Sequence, residues 1–373
     1  MILPMVVVAL LIAFTIPVVF LYLLNRFDLF NTGKSYFNVL TLVGGMLAYY
    51  AAAQINPAVV NMGWASREQV VRFVAPVIEE ILKAVILVYL VQRADFNYVV
   101  DGALYGFGSG IGFAVTENYE YVMGHSEVAM TIALARVFST NLMHATSSGL
   151  IGTALAYQRG DKTIRGRLAI AAGYIISISI HMGFNTLVNS GGNLIVLIFA
   201  ILIGVTGAAL IWYIIKRGLN IQKDWVAEKL GMADRVTQEE TRVVSNIEAV
   251  HEVLAPVEAR FGAEKAALVR SLIYKQAEIG IKRKLLETAA NETRKKEINT
   301  IIEDLVKEIN LLRNQIGTYC MMMVREVYLS QDLQIWSLLN ARIASAGLGQ
   351  KGGGLWNRVS ERLKDSSSQE DKS

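Results

Sequence analysis

The sequence predicts an all-α protein: a polytopic membrane helical bundle of about seven spans, followed by a C-terminal helical cytoplasmic domain. Three features point there. Hydrophobic residues make up 53% of the chain and charged residues only 18%, against roughly 25% charged in ordinary soluble domains. The charge is also uneven: residues 1–215 carry 11 Lys/Arg and 10 Asp/Glu, whereas residues 216–373 carry 25 and 22. Finally, seven segments approach the roughly 20 apolar residues that a bilayer crossing requires. They are residues 2–24, 35–54, 70–91, 100–122, 130–156, 168–188 and 193–215.

The start Met1-Ile-Leu-Pro-Met5 lacks a basic n-region, so the first segment reads as a retained span rather than a cleaved signal. Orientation follows from the loops. With the C-terminal region inside, the inner loops hold Arg26, Lys34, Arg93, Arg159, Lys162, Arg165, Arg167, Lys216 and Arg217, and the outer ones only Arg67 and Arg72. Nine against two predicts an outside N-terminus and an inside C-terminus.

The spans carry charges they have no reason to carry as packing. Glu79 and Glu80 interrupt the third span, where each carboxylate costs roughly 2.5–3.5 kcal/mol on insertion scales. Glu117 lies in the fourth span, His144 in the fifth and His181 in the sixth. Counted from the outer face at 1.5 Å per residue, their depths differ by roughly 13 Å. Four helices can therefore bring two imidazoles and up to three carboxylates to one point. Such ligands suit Zn²⁺, whose catalytic sites use three protein ligands and keep one position for water. A carboxylate off the metal can then serve as base.

Helical spacing adds detail. Glu79 and Lys83 are four residues apart, which predicts an ammonium beside that carboxylate; Glu80 points about 100° away. Pro76 is expected to free the carbonyl of Arg72 and to bend the helix. Asn185 follows His181 by one turn, placed to orient the imidazole or to donate to a developing oxyanion. Gly102, Gly106 and Gly110, and separately Gly108 and Gly112, form stripes along which helices approach closely. Asn118 is either a polar neighbour of Glu117's site or a helix–helix hydrogen bond. Arg136 is expected to snorkel or to pair with Glu120 or Glu127. His125 and His251 lie outside the spans.

At these residues the chain resembles a known family. Ala75-Pro-Val-Ile-Glu-Glu-Ile-Leu-Lys83 matches the EExxK motif of the PrsW family of intramembrane metalloproteases. Val100-Asp-Gly-Ala-Leu-Tyr-Gly106, followed by Gly112-Phe-Ala-Val-Thr-Glu-Asn118, looks like its FxxxEN motif, His144-Ala-Thr-Ser-Ser-Gly-Leu-Ile-Gly152 like its third, and His181-Met-Gly-Phe-Asn185 like its HxxxD/N motif. All four occur in order over about 110 residues. The related CAAX prenyl proteases carry EExxxR and FxxxH, whereas here position 84 is Ala and position 117 is Glu, which sides with PrsW. Two departures are the Asn25–Phe30 stretch, only loosely like the family's juxtamembrane run, and Asn185 in place of Asp.

The resemblance implies a zinc-dependent endopeptidase of a prokaryotic cell membrane, cleaving a single-pass membrane protein such as an anti-sigma factor. By analogy it makes Glu79 the general base, and Glu117, His144 and His181 the metal ligands. Glu80 becomes a further ligand or supporting carboxylate, Lys83 the charge balance, and Asn185 the donor to the tetrahedral intermediate. The rival classes are a non-catalytic membrane scaffold of the same superfamily and an ion or proton transporter. No internal repeat supports the last.

Residues 216–346 read as helical. Ile298, Ile302, Leu305, Ile309, Leu312, Ile316, Tyr319 and Met323 follow a 4-3 repeat, expected either to pair with a second copy or regulatory partner or to pack in a small bundle. Residues 347–373 comprise a Gly-rich linker, a short amphipathic helix at 355–364 and a tail of disordered composition. One cysteine, Cys320, excludes a disulfide framework and a Cys-based cluster within one chain. No basic, aromatic-interleaved stripe suggests nucleic acid.

Overall fold

The computed structural model describes residues 2–25, 34–190, 193–230, 236, 238–245, 250–289 and 292–324. Residues 26–30 of the juxtamembrane run, with Arg26, and the whole of 347–373 lie outside them. The described residues are helical, with no strand. In chain order they form α1 (Ile2–Asn25), α2 (Ser35–Asn61), α3 (Arg67–Gln69), a π-helical turn (Val70–Val74) and α4 (Ala75–Val91). There follow α5 (Val99–Gly124), α6 (Ala129–Phe138), α7 (Thr140–Gly160), α8 (Ile164–Ser190) and α9 (Asn193–Lys229). The last are α10 (Gln238–Ser245), α11 (Val250–Phe261), α12 (Ala263–Glu287) and α13 (Glu292–Ile316).

Five helical stretches among the described residues are long and apolar enough to cross a membrane: Leu3–Leu24, Tyr36–Asn61, Val99–Gly124, Ile164–Asn189 and Leu202–Lys229. The third and fifth apolar segments fall short of that measure, each for a local reason. Pro76 and the π turn leave α4 with 17 residues. The fifth segment breaks at Ser139, whose backbone is non-helical (φ −125°, ψ −78°), into α6 and a Thr/Asn/His/Ser-rich α7. Fourteen residues of α7 are buried, so its polar character faces protein.

α5 forms the centre of the bundle. Its most apolar window is wholly buried, while α1 turns Leu3, Leu11, Phe14 and Tyr22 outward. The expected glycine stripes serve two different neighbours. A Cβ at Gly102, Gly106 or Gly110 would lie 2.3–2.4 Å from the carbonyl oxygens of Gly152, Ser148 and His144 on α7. On another face a Cβ at Gly112 would lie 2.0 Å from the Leu42 carbonyl of α2. No side chain fits either seam, so the backbones meet directly.

α9 runs on beyond its apolar stretch; α10 and α12 pack on its continuation, and α11 and α13 pack on α12. One buried core joins Leu104, Phe107 and Ile111 of α5 to Ile215 and Val226 of α9 and to Val269 and Ile273 of α12. The change of composition at residue 216 therefore leaves no gap in the packing. Ile298, Leu305, Ile309 and Ile316 of the heptad are buried in that same core, with Ile302 and Leu312 beside them, while Tyr319 is exposed. The heptad face is thus covered by α12 within the chain. α12 also reaches the α4–α5 loop: Lys282 Nζ donates to the carbonyls of Ala94 (2.9 Å) and Asp95 (3.3 Å).

Candidate metal centre

α4, α5, α7 and α8 converge on one polar cluster inside the bundle. Glu80, Lys83, His144 and His181 are almost wholly buried, and Glu79 keeps 13% of its side-chain surface. Every one of these side chains has a polar partner, as burial of charge requires.

Lys83 is the hub. Its Nζ donates to Glu80 Oε1 at 2.7 Å and to His144 Nδ1 at 3.0 Å. The ammonium therefore lies beside Glu80, three residues away, and not beside Glu79 as the four-residue spacing suggested. The reason is the other helix: reaching toward α7 for the His144 imidazole turns Lys83 to the Glu80 side. Glu80 Oε1 also accepts from His181 Nδ1 at 2.8 Å. That contact fixes the ring and leaves Nε2 facing Glu79 Oε2, 3.6 Å away, the arrangement by which a carboxylate orients a metal-binding imidazole. Glu80 Oε2 is buried without a hydrogen-bond partner.

With Lys83 donating to Nδ1, His144 carries its hydrogen on Nε2 and donates to Glu117 Oε2 at 3.1 Å. Glu117 Oε2 is held in turn by Arg136 Nη2 at 2.6 Å. Arg136 also donates from Nε to Asn118 Oδ1 (2.6 Å) and lies over the Tyr121 ring, 3.8 Å from its centroid. This corrects the expectation for Arg136: it is drawn inward to Glu117, not out to the interface, Glu120 or Glu127. The break at Ser139 ends α6 just beyond Arg136 and places it there. Asn118 makes the helix–helix bond as well, donating to Asn141 Oδ1 of α7 at 2.7 Å.

Asn185 has a different neighbour from the one its spacing suggested. Its Nδ2 donates to the Val71 carbonyl at 2.9 Å, in the π turn. In that turn the bonds run five residues back, as Ala75 N–H to Val70 C=O shows. Pro76 has no N–H, so the carbonyl left over is that of Val71, not Arg72. Asn185 fills it and ties α8 to the start of α4, one helical turn from His181.

Asn56 of α2 was not singled out by sequence reasoning. Its Nδ2 donates to Glu79 Oε1 at 3.2 Å. It falls two residues past the apolar segment 35–54, so no intramembrane cost marked it.

Residues 34–218 match the family model described as PrsW family intramembrane metalloprotease. This part of the chain belongs to that family, and all four motifs and every cluster residue fall within it. No curated protein and no solved structure matches the chain.

A metalloprotease family implies a metal, and the donor set fits one. Glu79, His144 and His181 each offer a ligand atom, and these atoms lie within 4.8 Å of one another, so the carboxylate grouped with the two imidazoles is Glu79 where the sequence reading had Glu117. Two ligands of one tetrahedral zinc, at about 2.0–2.1 Å each, sit roughly 3.3 Å apart. The 3.6 Å between His181 and Glu79 and the 3.1 Å between His144 and Glu117 bracket that span. Imidazole and carboxylate donors suit several divalent metals.

Proposed function

We propose that the protein is a zinc-dependent intramembrane endopeptidase that cleaves a membrane-anchored protein, of the anti-sigma-factor kind, in regulated intramembrane proteolysis. The observation that carries this reading is the convergence of Glu79, His144 and His181 within 4.8 Å, inside a bundle of apolar helices. When bound, such a metal polarises a peptide carbonyl and lowers the pKa of a water to about 7.

His144 and His181 would hold the metal, and the two flanking carboxylates would divide the remaining work by what already binds them. Glu117 is committed to Arg136 and to His144 Nε2–H. Glu117 Oε2, already beside His144 Nε2, would be the third ligand with His144 and His181, and metal affinity would weaken as the pH falls, because nitrogen and carboxylate donors must be deprotonated to bind. Among the described residues Glu79 is hydrogen-bonded by the neutral Asn56 amide and turns its other oxygen to His181 Nε2, 3.6 Å away. It is the general base, accepting a proton from the attacking water. Glu80 holds His181 Nδ1–H, and Lys83 balances Glu80 while fixing the His144 ring. Asn185 positions α8 against the π turn through one amide hydrogen, and its second would donate to the developing oxyanion in the reaction.

The basic residues at the α4, α7 and α8 ends, Arg93, Arg159, Arg165 and Arg167, support an inside C-terminal region and hence a prokaryotic plasma-membrane protein with its N-terminus outside. The substrate would then be a single-pass protein reaching the bundle from the bilayer, with a second copy or a regulatory partner engaging the C-terminal helices.

One experiment tests both the activity and the division of roles. Metal content and cleavage of a co-expressed single-pass substrate are measured for wild type, Glu79→Gln, Glu117→Gln and His181→Ala. The expected result is metal without cleavage in Glu79→Gln, and neither in the other two variants. Metal lost in Glu79→Gln but kept in Glu117→Gln exchanges the two carboxylates' roles. A wild type with neither metal nor cleavage sinks the protease reading in favour of a scaffold.

A further inference from the structure

Away from the metal centre, at the end of the bundle where α12 and α13 meet α5, α7 and α9, lies a cavity of about 250 Å³. Arg159, Lys162, Arg294, Asp161, Tyr98 and Trp225 are among the residues that line it. The Arg159 guanidinium sets its character. Nη1 and Nη2 are both buried and have no hydrogen-bond partner. Its carbon lies 5.2 Å from the centroid of the Phe96 ring, a contact that uses a guanidinium face and none of its N–H groups. Arginine keeps its charge in proteins, so a buried fork with empty donors calls for an anion that fills two of them at once.

The surroundings favour the same ligand. Arg294 places a second guanidinium on the wall, held by an Nη2 bond to the Arg93 carbonyl at 3.2 Å. Lys162 stands at the exposed rim. The one carboxylate, Asp161, is taken up by its own turn, accepting from Thr163 N–H at 2.9 Å and Tyr157 O–H at 3.4 Å. Three cations against one carboxylate leave the lining positive, and the paired oxygens of a phosphate group suit a guanidinium fork. Tyr98 and Trp225, with ring centroids 4.4 Å apart, supply the apolar wall.

We propose that this cavity binds a phosphate-bearing anion, with the phosphate on the Arg159 fork and Arg294 and Lys162 around it. A lipid headgroup or a free phosphate would satisfy the same donors. Bound there, either would bridge the α7–α8 turn, the continuation of α9 and the α12–α13 hairpin.

The test uses the full chain in neutral detergent. Its thermal unfolding midpoint is titrated with inorganic phosphate, with dihexanoyl phosphatidylglycerol, and with the zwitterionic phosphatidylcholine of equal chain length. The expected result is a saturable rise with at least one of the first two probes, beyond that with phosphatidylcholine. Arg159→Gln should weaken the response about tenfold or more. A rise with phosphatidylglycerol alone identifies a lipid headgroup; a rise with phosphate as well identifies the phosphate itself as the ligand. No rise with either probe, a rise matched by phosphatidylcholine, or an equal response in Arg159→Gln overturns the proposal. Should Arg159→Gln fail to fold, Lys162→Gln at the rim takes its place: a weakening of about threefold supports the site, and an unchanged response refutes it.

Discussion

Lys83 and Lys282 are both wholly buried, yet the two regions satisfy them in opposite ways. Lys83, inside the helical bundle, meets a carboxylate and an imidazole. Lys282, where α12 meets the α4–α5 loop, meets two backbone carbonyls. Against Lys83 stands a charge that would itself be stranded by its removal; against Lys282 stand neutral acceptors. The first lysine belongs to a network in which each member holds the others in register. The second is a clamp, and it grips the loop that joins two of the site's four helices.

The largest effect is therefore expected at Lys83. Lys83→Met leaves Glu80 buried without its cation, a loss of about 3–5 kcal/mol, and releases the His144 ring. Thermal unfolding and metal content of the purified variant should both fall. Adding Glu80→Gln should recover part of the stability, and a strictly additive double variant would dissolve the claimed network.

Next in size is the seam that brings α7 to α5. Gly110→Val places a Cβ against the His144 carbonyl, at 2.3 Å before relaxation, and overpacking of this kind costs about 1–3 kcal/mol. Because the carbonyl belongs to a site residue, cleavage should drop more than the unfolding midpoint does. An unchanged kcat would show that the close approach does not position His144.

Lys282→Met should cost about 1–3 kcal/mol, the price of unpaired buried carbonyls, with metal content intact. Its pH signature separates it from Lys83. Burial pushes the Lys282 amine below its ordinary range, and Glu278 only partly opposes this. The unfolded chain then binds more protons between the lowered folded pKa and about 10.4, so stability rises with pH through that window. The variant should lose this alkaline rise, which unfolding midpoints between about pH 8 and 10.5 would show. A rise of the same size in both proteins would remove Lys282 as its source.

The smallest effect is expected where the same residue types face water. Lys307 and Asp304 form an ion pair (2.9 Å) on the exposed surface of α13, and solvent screens it. Asp304→Asn should leave the unfolding midpoint and its salt dependence unchanged within error. A clear loss would mean that this surface, too, behaves as a network.

How much of this was legible varies with the range of the interaction. Glu79, Glu80, Glu117, His144 and His181 stood out because a bilayer makes such residues costly wherever they fall, and their spacing placed them at comparable depths. The glycine stripes were legible for the same local reason. Lys83's choice of Glu80 was not, since both carboxylates lie within its reach along α4 and the choice is made by His144 on another helix. Asn56, and the partner of Arg136, were missed because these contacts span 23 and 19 residues, across helix boundaries that no periodicity reveals. The Val71 carbonyl required knowing that the turn before Pro76 bonds five residues back rather than four.

By itself, then, the sequence determined that the chain is helical, that its first 215 residues suit a membrane, and which side chains are too costly to be idle. Those properties depend on each residue's own transfer free energy and on a fixed helical repeat. Only the tertiary structure decided which carboxylate each cation and imidazole binds, that the fifth segment breaks at Ser139, and that α12 holds the α4–α5 loop. These depend on how helices distant in sequence meet, and a polar group in a dry interior takes whichever partner that meeting brings within about 3 Å.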